Sequence, residues 1–237
     1  MNKVKLHTLW LLGMLFLMTA CGDDDDYYYP SVKLEFVTVK AGADGLIQSL
    51  LPDKGELLTV AKDRTGSTIS PNSARRVISN YEVNSEDATA VIYSLQSVVT
   101  PEPKEADDPA FEGGLKYDPV DVTSIWLGRD YLNMILNVKI NINSGKQHVF
   151  GMIEESVESE GDETVVTLSL FHDANGDEEN YNRRAYISVP LTKYVDEENP
   201  HQTIRIKFKY HTTDKSGVVI ESSKYCDPGF EYVPDGN

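Results

Sequence analysis

Oxygen-bearing side chains recur at alternate positions in one short segment, where Asp173, Asn175 and Asp177 are spaced like the first ligands of a calcium-binding loop. Such a loop also needs glycine at its sixth position and a carboxylate at its twelfth, but this sequence has glutamate and arginine there. The dipeptide Asn175–Gly176 is typical of a tight turn with positive φ. We therefore expect a turn, with these three residues as the one candidate metal site.

The other candidates for acid–base or nucleophilic chemistry are isolated along the chain. Beyond residue 20 the histidines stand singly, at His148, His172, His201 and His211. His172 precedes Asp173, but neighbours on a strand point to opposite faces. No GxSxG, HExxH, P-loop or GxGxxG motif occurs. The sequence therefore predicts a protein without catalytic residues or cofactor, and a hydrolase with a carboxylate pair, drawn from 38 acidic residues, is the alternative.

Cys21 is the residue with the clearest expected modification. It ends the tetrapeptide Met-Thr-Ala-Cys at 18–21, which resembles the lipobox of bacterial lipoproteins. Two lysines and a 12-residue apolar run precede it, as in a secretory signal peptide. That run is shorter than the roughly 20 residues of a membrane-spanning helix. We expect cleavage before Cys21 and membrane anchorage through lipid on its thiol, since two or three acyl chains hold a protein stably.

Four carboxylates follow the anchor at Asp23, Asp24, Asp25 and Asp26. An acidic run beside a membrane is the opposite of a polybasic segment that grips anionic lipid headgroups. It resembles the surface-export signal of lipoproteins in some Gram-negative gut anaerobes. The expectation is an outer-membrane lipoprotein exposed at the cell surface, and the alternative is a solvated spacer facing the periplasm.

The charge of the chain argues against one class of partner. Residues 1–20 hold two of the 22 basic residues and none of the 38 acidic ones, so the remainder carries a formal charge of −18. Phosphate backbones repel such a chain, and nucleic acid is excluded as an expected partner. Cys226 is the one cysteine left after lipidation of Cys21, so stability must come from burial rather than from a disulfide.

Alternating apolar and polar residues predict strands throughout the mature chain. Val32, Leu34 and Phe36 show the period of a half-buried strand, and four similar runs follow at 46–51, 56–61, 75–83 and 88–98. Seven more runs lie between 121 and 225, separated by turn residues. The segment 101–119, rich in proline, glycine and acidic residues, reads as a linker or a long inter-domain loop. This pattern predicts an all-β chain, with an OB-like barrel followed by an immunoglobulin-like β-sandwich.

The expected division of the chain has five parts: signal peptide 1–20, lipidated acidic tether 21–30, OB-like barrel 31–100, linker 101–119 and β-sandwich 120–237.

A distinctive run begins the second half: Asp121, Val122, Ser124, Ile125, Trp126, Leu127, Gly128, Tyr131, Leu132 and Asn133. Further characteristic segments are His148–Val149–Phe150, 168–173 and 186–191, together with Asp44–Gly45, Asp53–Lys54–Gly55 and Arg76–Val77–Ile78 in the first half. These motifs resemble those of NigD-like lipoproteins over nearly the whole mature chain. The resemblance implies an N-terminal OB-like domain and a C-terminal β-sandwich. It implies no catalytic residues, and the family name reflects an association with a bacteriocin gene cluster.

Three aromatic residues are the candidate ligand contacts: Trp126, Tyr181 and Tyr186. Such side chains combine apolar area with a polar group and suit binding surfaces. The alternative is that Trp126 is a core or domain-interface anchor and that the tyrosines are ordinary strand residues. The function that we expect is a non-enzymatic envelope lipoprotein that binds an unknown protein or glycan, with a purely structural envelope protein as a further alternative.

Overall fold

The computed structural model describes residues 32–160, 163–177, 181–199 and 202–234. Cys21 and the acidic run Asp23 to Asp26 lie outside the described residues, so their roles stay predictions. The described regular structure is β apart from two short 3-10 helices, Pro109–Phe111 and Thr192–Tyr194. Among these residues no helix has the length and apolar character to cross a membrane. The predicted all-β class is confirmed.

The first lobe is a closed five-stranded barrel in the order β1-β2-β3-β5-β4. Its strands are β1 (Val32–Ala41), β2 (Ile47–Pro52), β3 (Leu58–Asp63), β4 (Ala74–Asn84) and β5 (Thr89–Ser97). All pairs are antiparallel except β3 with β5. Closure leaves the barrel without free edges and encloses one apolar core, which includes Val37, Val39, Leu50, Tyr81 and Ile92.

The first strand faces the other way from the sequence-based expectation. Leu34 is 70% exposed, and Phe36 belongs to a separate cluster outside the barrel. Val37 and Val39 enter the barrel core instead. Because side chains alternate along a strand, placing Val37 inside puts Phe36 on the outer face. The barrel therefore presents an aromatic side chain toward the second lobe.

The second lobe is a β-sandwich of a five-stranded sheet, order β13-β12-β10-β9-β6, and a three-stranded sheet, order β11-β8-β7. Its strands are β6 (Pro103–Glu105), β7 (Asp121–Gly128), β8 (Tyr131–Ile140), β9 (Val149–Glu160), β10 (Glu163–Asp173), β11 (Tyr181–Pro190), β12 (Ile204–Thr213) and β13 (Val219–Tyr232). The larger sheet is mixed, because β10 pairs with β12 and β6 with β9 in parallel. The inner faces of the two sheets enclose the largest apolar core of the chain.

The segment 101–119, expected to be a linker or long inter-domain loop, pairs and packs with the sandwich. Pro103–Glu105 adds an edge strand to β9. Phe111 is buried against Ile153 and Phe171. The backbone amide of His172 donates to the carbonyl of Lys116 at 3.0 Å. Proline and glycine hide the alternating pattern of a strand here, but the segment still supplies ladder hydrogen bonds and a buried aromatic ring.

Candidate functional site

Strands β4 and β8 meet at the junction between barrel and sandwich, and each has protein packed on both of its faces. On β4, Val77 and Tyr81 point into the barrel, whereas Arg76 and Ile78 point out of it. On β8, Leu132 and Met134 fill the sandwich core, whereas Asn133 faces the barrel. The two-residue period of a strand thus gives each lobe a core side and a junction side.

Arg76 is the centre of a buried polar network at this junction. Its guanidinium forms an ion pair with Asp53 and donates to Ser188 Oγ at 3.0 Å and to Asn133 Oδ1 at 3.2 Å. It also lies 4.3 Å from the ring centroid of Tyr131. Since Asp53 and Arg76 belong to the barrel and the other partners to the sandwich, the network joins the two lobes.

The partners of Arg76 also satisfy one another. Asn133 Nδ2 donates to Asp53 Oδ2 at 2.7 Å, and Ser188 Oγ donates to Asn133 Oδ1 at 2.6 Å. Both oxygens of Asp53 are therefore engaged inside the protein. Buried networks of this kind fix one arrangement when every member has a partner. The carboxylate of Asp53 therefore helps to hold the barrel and the sandwich together.

Gly128 permits this close approach. A Cβ atom at this position would lie 2.1 Å from Asp53 Oδ2 and 2.5 Å from Asn133 Nδ2, well inside contact distance. Gly128, Tyr131 and Asn133 thus surround the same buried network. Their shared contact with the network accounts for the positions of the glycine, the tyrosine and the asparagine in the run from Asp121 to Asn133.

An aromatic cleft opens beside the network, and we call it the junctional cleft. Phe36 packs edge-on against Trp126, with ring centroids 5.3 Å apart, and against Tyr186 at 6.2 Å. The cleft has a volume of about 360 Å³. Its apolar lining comes from both lobes: Leu34, Phe36, Ile78, Trp126, Leu127, Ile135 and Tyr186.

Charged residues surround this apolar lining. Glu35, Asp53, Lys54 and Arg184 all line the cleft. Glu35 accepts a hydrogen bond from the hydroxyl of Tyr81 at 2.9 Å. The pKa of Tyr81 is raised above its ordinary value, mainly because the side chain is buried and secondly because of this hydrogen bond. The arrangement suits noncovalent binding of an apolar group framed by charges, because small-molecule and side-chain pockets combine apolar walls with a few polar groups.

The aromatic residues proposed from the sequence separate into two places. Trp126 and Tyr186 meet through Phe36 in the junctional cleft. Tyr181 lies at the start of β11, opposite Ile140, and is 56% exposed away from the cleft. An odd separation of five residues along β11 places Tyr181 and Tyr186 on opposite faces of the strand. Leu34 and Phe36 were not among the expected ligand contacts, because their alternation indicates a half-buried strand but not which surface its apolar face meets.

The calcium-like segment forms the expected turn. Asn175 and Gly176 have φ values of 53° and 63°, and Asp173 Oδ1 accepts the amide of Asn175 at 2.7 Å. Asp177 points elsewhere, accepting the amide of Asn141 at 2.9 Å. In the ranges that the structure describes, no three His, Cys, Asp or Glu side chains are grouped to hold a metal ion.

Both lobes match domains of a known protein family. The family model of the NigD-like N-terminal OB domain matches residues 36–98, and the family model of the NigD-like C-terminal beta sandwich domain matches residues 103–221. A crystal structure of a NigD-like immunity protein from Bacteroides caccae is 71% identical, with a TM-score of 0.79. The match covers 88% of this chain and all of that one.

More distant solved structures share the fold alone. A candidate toxin-related protein from Parabacteroides distasonis is 16% identical, with a TM-score of 0.64 over 86% of this chain and 95% of that one. A candidate lipoprotein from Bacteroides fragilis is 12% identical, with a TM-score of 0.57 over 87% of this chain and all of that one. No curated protein matches the chain with significance. The two domain matches and the relative from B. caccae show that the chain belongs to the NigD-like family.

Proposed function

We propose that this chain is a non-enzymatic binding protein of the bacterial envelope that protects its cell by capturing an antibacterial protein in the junctional cleft. The observation that carries the proposal is the cleft itself, where Phe36, Trp126 and Tyr186 from two lobes form one aromatic wall. Aromatic anchors in desolvated pockets provide much of the affinity of protein interfaces.

The lining of the cleft favours a protein over a glycan. Four aliphatic side chains accompany the aromatic residues: Leu34, Ile78, Leu127 and Ile135. Such walls receive an apolar side chain well, whereas the hydroxyl groups of a sugar would find few partners along the aliphatic part of the lining. Lys54 and Arg184 among the charged residues of the cleft add polar partners for a peptide backbone or carboxylate.

The rigidity of the junction supports binding. The Arg76 network holds barrel and sandwich together, so the cleft is formed before a partner arrives. A pre-formed site avoids part of the entropic cost of ordering side chains on association. The formal charge of −18 beyond residue 20 also favours a cationic partner and its faster encounter.

Two further considerations support the envelope setting. The relative from B. caccae is described as an immunity protein, and a structure of the same fold from B. fragilis as a candidate lipoprotein. Lipid on Cys21 would hold the folded part at a membrane, and the acidic run Asp23 to Asp26 would direct it to the cell surface. An immunity protein at that position meets an incoming toxin before the toxin reaches its target.

Site-specific photocrosslinking in living cells tests the cleft. A benzoylphenylalanine replaces Leu34, which is 70% exposed at the cleft, and in a second strain it replaces Tyr181 as the control. Cells then receive the spent medium of the parent strain, and captured proteins are identified by mass spectrometry. We expect a defined protein captured at Leu34 and not at Tyr181.

Purified captured protein is then titrated onto the chain lacking residues 1–20, whose tryptophan emission comes from Trp126 alone. Leu34→Glu should weaken binding at least tenfold, while Val219→Glu, a matched change at an exposed aliphatic residue outside the cleft, should not. Equal capture from both positions would contradict the proposal. A Trp126 response to maltohexaose or chitohexaose, without protein capture, would identify a glycan ligand instead.

A further inference from the structure

A second cleft, of about 390 Å³, lies in the sandwich and contains the histidines that appear isolated in the sequence. His148, which immediately precedes β9, and His172 on β10 both line it, as does Asp177 beyond the turn. The antiparallel register of β9 with β10 pairs Phe150 with His172, and this brings His148 alongside. We call this the histidine cleft.

Hydrogen bonds fix which nitrogen of each ring carries the proton. His172 Nδ1 lies 2.9 Å from the backbone carbonyl of Asp118, which can only accept, so Nδ1 is the donor. In the neutral ring Nε2 of His172 is then an acceptor, and it lies 2.9 Å from His148 Nδ1. His148 Nδ1 must therefore donate, and a neutral His148 ring then has its lone pair on Nε2.

That lone pair faces a carboxylate. His148 Nε2 is buried without a hydrogen-bond partner, and it lies 3.5 Å from Asp177 Oδ2. The two side chains are only 7% and 1% exposed. Asp177 Oδ2 also accepts the amide of Asn141 at 2.9 Å. Two acceptors that face each other in a buried site are stabilised by a proton or by a metal cation between them.

The spacing suits a tetrahedral metal ion. Zinc lies about 2.0–2.1 Å from a histidine nitrogen and about 2.0–2.2 Å from a carboxylate oxygen, which places the two ligand atoms roughly 3.4 Å apart. Metal-bound histidines also donate their second ring N–H to an acceptor that orients the ring. His172 and the Asp118 carbonyl form such a relay behind His148.

We propose that His148 Nε2 and Asp177 Oδ2 bind a divalent transition-metal ion of the zinc class, with His172 as the positioning residue. Carboxylates of Asp118 and Asp121 in the same cleft favour a cation, and the ammonium of Lys139, which also lines it, has a partner of its own. Since the described part of the chain groups no third His, Cys, Asp or Glu ligand with this pair, water or a donor from a bound partner completes the shell.

Calorimetric titration of Zn²⁺ tests the site. The chain from Gly22 onward is used in a Cys226→Ser background, which removes the free thiol as a competing ligand. We expect one bound ion per chain and a tetrahedral visible spectrum with Co²⁺. His148→Gln and Asp177→Asn should each weaken zinc binding at least tenfold, and His172→Gln should weaken it about 10–100-fold, as for other residues that orient a ligand.

His211→Gln is the matched control, because His211 also has a buried nitrogen without a hydrogen-bond partner but does not line this cleft. Circular dichroism confirms that each variant is folded, and Asp177→Asn keeps the test valid if a histidine variant is not. The proposal is overturned if no zinc binds below about 1 mM. It is equally overturned if His148→Gln and Asp177→Asn bind zinc as tightly as the His211→Gln control.

Discussion

Replacing Arg76 with methionine removes the guanidinium at the centre of the junction but keeps a long side chain. Arg76 is 5% exposed, and the side chain of Asp53, its ion-pair partner, is 13% exposed. Removing one member of a buried pair costs about 3–5 kcal/mol, because the other charge is left buried without compensation. For a folded unit of this size, such a loss lowers the melting temperature by roughly 6–20 °C.

Arg75→Met is the matched control, one residue earlier on the same strand. Arg75 is exposed and donates to Ser97 Oγ at 3.2 Å, so its replacement should change the free energy of unfolding by less than about 0.5 kcal/mol. A double variant that combines Arg76→Met with Asp53→Leu should recover part of the loss, since no unpaired carboxylate remains.

Urea unfolding of the three variants and the wild type measures these differences. Circular dichroism follows all strands, and the emission of Trp126 follows the junction directly. Coincident transitions would mean that barrel and sandwich unfold as one unit. A loss of less than about 1 kcal/mol for Arg76→Met, or an equal loss for Arg75→Met, would refute the role of the network in joining the lobes.

Three other perturbations follow from the same structure. Gly128→Ala should destabilise the fold by about 1–3 kcal/mol in urea unfolding, because the new methyl group overlaps the junction network, whereas Gly113→Ala, with open space around it, should be nearly neutral. Burial raises the pKa of Tyr81. The unfolded state therefore releases this phenolic proton first, at about pH 10. The free energy of unfolding should fall as pH rises beyond that value, and Tyr81→Phe should reduce the slope measured by urea midpoints from pH 8 to 11. Protease treatment of intact cells should release the folded part if the acidic run after Cys21 directs surface export, and protection until the outer membrane is broken would refute that role.

The class of fold and most strands could be predicted from the sequence because they depend on local signals. A two-residue period and turn residues such as Asn175–Gly176 act within a few positions of the chain. The match extends to β4, expected at 75–83 and found at Ala74–Asn84. The segment 101–119 escaped prediction because its strand pairs with a partner almost 50 residues later and carries no alternation of its own.

The sites depend on contacts that no local pattern records. Arg76 interacts with Ser188 across 112 residues, and no local pattern shows that Arg76 is buried while its neighbour Arg75 is exposed. His148 and His172 meet only because of the register between β9 and β10. Trp126 could be identified as a candidate from its residue type alone, but the identity of its neighbour Phe36 required the packing of barrel on sandwich.

Survival of cells that lack this protein tests the proposed immunity role most directly. A deletion strain is challenged with the spent medium of its parent and complemented with the wild type, with Leu34→Glu in the cleft, or with Tyr181→Ala outside it. We predict that deletion lowers survival and that the wild type and Tyr181→Ala restore it, while Leu34→Glu, expressed and folded to the same level, does not. Unchanged survival on deletion, or full protection by Leu34→Glu, would contradict capture of a toxin in the junctional cleft.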